Sequence, residues 1–166
     1  MFKGCTNLTT APVLPATKMV SRCYSYMFQN CTSLTTAPEL PATELGYACY
    51  TCMFEDCTSL TEAPELPATK LAPGCYATMF LGCTSLTFTP DLPATDLVSR
   101  CYWGMFWNCK KVNLVKIAAE NMDAVDCLSK WLTNVSNRGV IRKKDIFDLE
   151  IGENGIPNNW ISKYYE

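Results

Sequence analysis

Hydrophobic and polar positions in this chain follow an order with a strict 26-residue period. The clearest marker is a Met-Phe pair, which occurs at Met1-Phe2, Met27-Phe28, Met53-Phe54, Met79-Phe80 and Met105-Phe106. The full unit reads M-F-x-x-C-T-S-L-T-x-A-P-x-L-P-A-T-x-L-x-x-x-C-Y-x-x, with small exceptions. A fixed period of this length is typical of proteins that stack one short unit many times, because a single unit cannot bury its own apolar face.

The cysteine-to-cysteine half of the unit predicts a short helix. Between Cys23 and Cys31, apolar residues fall at i, i+1, i+4, i+5 and i+8, which places them on one face of a helix. The strongest helix candidate is Asp123–Val135, where apolar residues again share a face and Gly139 acts as a stop.

The other half of the unit predicts an extended chain. Apolar residues from Leu34 to Leu40 recur every third position, and Pro38 and Pro41 exclude a helix there. We predict a very short strand near Leu34–Ala37 that runs into an extended proline segment. The expected fold is therefore an α/β solenoid, with short helices on one side and short parallel strands or extended segments on the other.

The repeat also divides the chain into two parts. Four full copies and a degenerate fifth occupy residues 1–132, and residues 133–166 are predicted to form a C-terminal cap. Within the cap, Val140–Ile141 and Ile146–Leu149 are expected to form edge strands, and the tail around Trp160 either packs or stays mobile. Met1 is in phase with the later copies, so no polar cap precedes it. This predicts either further upstream repeats or self-association through the uncapped first unit.

The phrase M-F-x-x-C-T-S-L resembles the A-F-x-x-C-x-x-L core of the BspA-like leucine-rich repeats of bacterial surface proteins, with Met in place of Ala. The longer unit, the second cysteine and the L-P-A-T element indicate a cysteine-rich subgroup. The resemblance covers Met1 to about Leu132. It implies a right-handed leucine-rich-repeat superhelix in a cell-surface or secreted bacterial protein that holds host proteins, glycans or other cells. It brings no catalytic residues with it.

Charge and side-chain chemistry argue against most other functions. The net charge of −2 provides no basic face for nucleic acid. The absence of histidine removes the commonest general base and metal ligand. No apolar run is long enough to span a membrane. We therefore expect no cofactor, no nucleic-acid partner, no membrane insertion of this segment and no enzyme activity, although paired carboxylates remain a possible catalytic arrangement.

Ten of the eleven cysteines form two repeated columns, and Cys52 lies outside them. Their alternating long and intermediate spacings differ from the close pairs of structural zinc sites. Disulfides between neighbouring copies are possible by distance, but we expect reduced, buried ladders in which the first column also bonds backbone groups weakly. We interpret the pair Cys49 and Cys52 as a coincidence of phase rather than a redox motif. The first column is Cys5, Cys31, Cys57, Cys83 and Cys109, and the second is Cys23, Cys49, Cys75, Cys101 and Cys127.

Positions that vary between copies are the candidates for ligand binding, because the repeated positions build the stack. Beside the extended segment, the varied side chains include Thr36, Glu39, Glu62, Glu65, Phe88 and Asp91, and on the helical side they include Trp103 and Trp107. Acidic side chains favour a basic or hydroxyl-rich partner such as an extracellular protein or glycan, although a merely solvated face is the simpler interpretation. The aromatic residues either bind a partner or pack under the tail. The functions that remain are an adhesion module, a structural spacer and a targeting appendage of a larger enzyme.

Overall fold

The computed structural model of the chain describes residues 1–144 and 149–165. This part of the chain has no helix and contains an open parallel sheet of four strands in the order β1-β2-β3-β4. The strands are β1 (Asp91–Leu92), β2 (Leu114–Ile117), β3 (Gly139–Lys143) and β4 (Trp160–Tyr164).

Before β1, successive 26-residue units, which we call rungs, pair through single-residue parallel bridges. One row of bridges joins Thr10 to Thr36, Thr36 to Glu62 and Glu62 to Phe88. The predicted strand near Leu34–Ala37 is therefore reduced to one bridging residue in each rung. Proline explains this: it has no N–H to donate to the next rung, so the ladder stops where the proline segment begins.

The predicted helices are wrong, because no helix occurs in the described residues. Each predicted helix is instead a ribbon of consecutive tight turns. For example, the N–H of Met27 donates to the carbonyl of Tyr24 (3.2 Å) and closes a turn, whereas the N–H of Phe28 donates to the carbonyl of Met53, one repeat further along (2.9 Å). The same alternation continues along the ribbon, so every second N–H links neighbouring rungs.

A positive φ at every fourth residue makes this ribbon possible, since it is the backbone conformation that closes type II turns and it breaks a helix. The residues are Arg22, Tyr26, Asn30, Ala48, Cys52, Asp56, Gly74, Thr78, Gly82, Arg100, Gly104, Asn108, Asp126, Lys130 and Asn134. The last three lie within Asp123–Val135, so the strongest predicted helix is also a turn ribbon. Gly139, interpreted as its stop, begins β3 and lies against Trp160, whose ring atoms would be 2.4 Å from an added Cβ.

The core consists of ladders of identical side chains. The phenylalanine rings of the Met-Phe pairs stack with centroids 5.6–5.7 Å apart and planes within 8° of parallel. Tyr50, Tyr76 and Tyr102 form a second stack. Burying a large apolar side chain contributes about 1.5–3 kcal/mol, and each aromatic contact adds about 0.5–1.5 kcal/mol. Each rung that stacks in the 26-residue register therefore adds one more set of these stabilising contacts.

The C-terminal segment extends this stack. The predicted edge strand at Val140–Ile141 lies within β3, whereas Ile146 and its two following residues lie outside the described residues, and Leu149 is in no strand. Trp131 is fully buried and donates its indole N–H to the carbonyl of Gly155 (2.6 Å). The Trp160 indole donates to the carbonyl of Ser136 (2.8 Å), and the tail forms β4.

Two glycines allow a direct test of the turn ribbon. Gly82 and Gly74 both have positive φ, but an added Cβ would lie 2.1 Å from Oδ1 of Asp56 at Gly82 and 3.9 Å from the nearest atom at Gly74. Both positions require positive φ, so we expect Gly82→Ala and Gly74→Ala each to lower the free energy of unfolding by about 1 kcal/mol. At Gly82 the nearest atom belongs to the end of the flexible Asp56 side chain, which can rotate away from the added Cβ. Urea denaturation measures both. No measurable loss in either variant would contradict the positive φ on which the ribbon geometry depends.

Candidate functional site

Two adjacent grooves lie on the extended side of the stack, which we call the proline side. The first has a volume of about 570 Å³ and is bordered by Thr36, Glu39, Glu62 and Glu65. The second, of about 480 Å³, shares Glu62 and Glu65 and adds Phe88 and Asp91. The structure therefore brings together the six predicted binding residues of this side.

The proline segments shape these grooves. Four prolines line the first groove: Pro38, Pro41, Pro64 and Pro67. Because proline fixes φ and offers no N–H, each segment is rigid and its prolines cannot donate a hydrogen bond to a neighbouring rung. The acidic side chains thus project beside a stiff surface that has apolar proline rings.

The acidic side chains differ in their partners. Glu39, Glu62 and Glu65 are exposed and form no ion pair within residues 1–144 and 149–165. Asp91 instead accepts a hydrogen bond from Nζ of Lys116 at 2.5 Å, and this bond raises the pKa of Lys116. Among the described residues, the groove carboxylates without an ion-pair partner are therefore those of the three glutamates.

The predicted aromatic residues are divided between two surfaces. Phe88 is 66% exposed on the proline side. Trp103 and Trp107 are half-buried on the turn side and line neither groove. Nζ of Lys130 lies 5.3 Å from the centre of the Trp107 ring, and Lys130 also pairs with Glu153 of the tail at 3.5 Å. Trp107 is therefore next to the residues on which the tail packs, and only Phe88 belongs with the acidic grooves.

Most of the cysteine side chains are buried in the core of the stack. All eleven thiols are free, and only Cys5 and Cys23 of the first rung are exposed. Four thiols of the first column donate to the phenylalanine carbonyl of the rung before, at 3.0–3.1 Å; they are Cys31, Cys57, Cys83 and Cys109. These are the backbone contacts expected of that column, and they add a side-chain bond to the rung-to-rung ladder. In the described residues no group of three or more cysteine or acidic side chains could hold a metal ion.

Burial makes these thiols poor nucleophiles. It raises the pKa of Cys49 and Cys57 to about 12 and that of Cys52 to about 11. A redox-active C-x-x-C pair needs a thiol whose pKa is lowered instead. The Cys52 thiol is also held 2.9 Å from the hydroxyl of Thr78. Cys49 and Cys52 thus have the surroundings of packed core residues.

Comparisons of the chain with protein-family models, with curated proteins and with solved structures found no match. Within the ranges that the structure describes, no helix is of a length and apolarity that would cross a bilayer.

Sequence reasoning missed the continuation of the acidic column, which consists of Glu39, Glu65 and Asp91. In the sheet, Asp91 pairs with Lys116, Lys116 with Arg142, and Arg142 with Lys163. The step from Asp91 to Lys116 is one residue shorter than the repeat, and the step from Arg142 to Lys163 is shorter still. Comparing residues at a fixed 26-residue spacing therefore does not align Lys116 or Lys163 with the acidic column. A search that allowed one deletion after Asp91 would have found the lysine.

The thiols provide a prediction about access to the core. With a colourimetric thiol reagent at neutral pH, we expect two fast-reacting groups in the native protein, because Cys5 and Cys23 alone are exposed, and eleven groups in urea without reductant. The Cys5→Ser, Cys23→Ser double variant should show no fast phase. Fewer than eleven groups in urea would indicate disulfides, and more than two fast groups would contradict the buried ladders.

Proposed function

We propose that this chain is a non-catalytic binding module that holds a basic or hydroxyl-rich partner on its proline side. The observation that carries the proposal is the set of exposed glutamates, Glu39, Glu62 and Glu65, which border two adjoining grooves and have no cation of their own in the described chain.

The grooves suit a polar partner better than an apolar one. Each acidic side chain can accept a charge-assisted hydrogen bond from an arginine, a lysine or a sugar hydroxyl. Phe88 adds an exposed aromatic ring next to Glu62, and such rings are frequent at the centres of binding surfaces. Because the proline segments are already rigid, little conformational entropy is lost when a partner orders them.

We further propose that the repeat forms a right-handed leucine-rich-repeat solenoid related to the BspA-like repeats, with turn ribbons in place of the short helices. The M-F-x-x-C-T-S-L phrase supports this relationship, and the stacking of rungs in a 26-residue register supports the solenoid. By this relationship the module belongs to a bacterial cell-surface or secreted protein. Its partner is then an extracellular protein, a glycan or another cell.

A binding screen of the purified protein against matrix proteins, mucins and immobilised glycans tests the proposal. The Glu39→Gln, Glu62→Gln, Glu65→Gln variant should bind any saturable hit about tenfold or more weakly, because each exposed charge contributes modestly and the three act together. The matched control is Asp96→Asn, Asp123→Asn, Glu150→Gln, which removes three acidic charges that line neither groove.

Binding that weakens with salt and survives in the control variant supports a binding module. A folded protein without any saturable ligand would instead favour a spacer that holds another domain away from the cell. Equal loss of binding in both variants would show that net charge, rather than the grooves, attracts the partner.

A further inference from the structure

The acidic column of the proline side continues into a basic column on the same face of the stack. Bridges from Thr36 through Glu62 to Phe88 set the register of the three acidic residues, each of which lies three positions further along its rung. Strand pairing then sets the register of the basic ones. The whole column, which we call the charge column, is Glu39, Glu65, Asp91, Lys116, Arg142 and Lys163.

The order of signs in the charge column has a simple symmetry. Three negative residues are followed by three positive ones. If a second copy of the column runs in the opposite direction, every residue therefore faces one of opposite charge. Parallel neighbours are about 4.8 Å apart, so the six residues span about 24 Å. The point of symmetry lies between Asp91 and Lys116, which pair with each other at 2.5 Å.

Exposed apolar side chains flank the centre and the basic end of the column. Phe88 is 66% exposed in the rung of Asp91, and Leu114 is 42% exposed in β2. Alternate residues of a strand share a face, which places Leu114 with Lys116 and Ile161 with Lys163. A third groove, of about 780 Å³, is bordered by Leu114, Ile161, Arg142 and Lys163. The face thus combines ordered charge with apolar surface that the described chain does not cover.

We propose that the partner of this face is a second copy of the chain, packed antiparallel so that the acidic half of each copy meets the basic half of the other. A two-fold axis then passes near Asp91 and Lys116, and Phe88 and Leu114 lie close to it. Such an interface uses the same surface on both copies, which is the commonest arrangement of homodimers. The net charge of −2 opposes the approach of two copies only weakly.

A second copy is favoured over an unrelated partner because the chain itself supplies the complementary pattern at the matching spacing. The inference does not rest on the proposed function, since it requires no external ligand. The two share a face, however, so a ligand of the acidic half must compete with the second copy. Its apparent affinity should fall as the protein concentration rises.

Charge reversal on the intact chain tests the dimer. We expect a concentration-dependent dimer by sedimentation equilibrium, with a dissociation constant at least about tenfold weaker in 500 mM than in 50 mM salt because exposed charges are screened. The Glu39→Lys, Glu65→Lys variant and the Arg142→Glu, Lys163→Glu variant should each be monomeric. All four side chains are exposed, and circular dichroism checks that each variant is folded.

Two combinations of these variants separate face-to-face pairing from other causes. An equimolar mixture of the acid-reversed and base-reversed proteins should form a heterodimer, because every facing pair is then attractive. A chain with all four substitutions should form a homodimer again. Both recoveries require that residues 39 and 65 of one copy face residues 142 and 163 of the other.

Several results would overturn the proposal. A wild-type monomer in 50 mM salt at about 100 µM would do so, since the symmetric face would then have no measurable self-affinity. A dimer that persists in both reversed variants would place the contact elsewhere, such as the first rung. Failure of the mixture to pair, or a monomer that binds a peptide with a lysine block followed by a glutamate block, would assign the face to another partner.

Discussion

The alternation of backbone hydrogen bonds in the turn ribbons is the constraint on which the rest of this structure depends. One N–H closes a turn within its rung, and the next donates to a carbonyl of the following rung. This pattern satisfies the backbone and fixes the register between rungs at the same time. Identical side chains therefore lie above one another, which produces the phenylalanine and tyrosine stacks and the cysteine columns. The acidic column on the opposite side follows from the same register.

Much of the fold could be predicted from the sequence, because the repeat is strict enough to give the unit, its two sides and its core residues. The helices could not be predicted correctly, since a turn ribbon whose backbone conformation repeats every four residues places apolar residues at nearly the helical period. The sequence signal that distinguishes the ribbon from a helix lies three positions after the methionine of each Met-Phe pair from Met27 onwards. In the last unit Trp131 takes the place of that methionine. Asn30, Asp56, Gly82, Asn108 and Asn134 occupy this place, and these residue types tolerate positive φ best.

The candidate site was predictable only on its acidic side. Comparing copies within the chain identifies Glu39, Glu62 and Glu65, because the repeat keeps them in phase. Lys116 falls out of phase by one residue, and Arg142, one full repeat after Lys116, shares that shift. Lys163 follows Arg142 by less than a repeat, so it joins the column only through strand pairing. Phe88 and Trp107 lie on different sides of a rung, so only Phe88 joins the acidic grooves.

The most direct test of this account is to detect the hydrogen bonds between rungs by NMR. Scalar couplings across hydrogen bonds in isotope-labelled protein identify which carbonyl each N–H contacts. The account predicts a coupling from the Phe28 N–H to the Met53 carbonyl and from the Phe54 N–H to the Met79 carbonyl. Couplings to Tyr24 and Tyr50, four residues before each phenylalanine, would show helices instead and would contradict the turn ribbon and the register that depends on it.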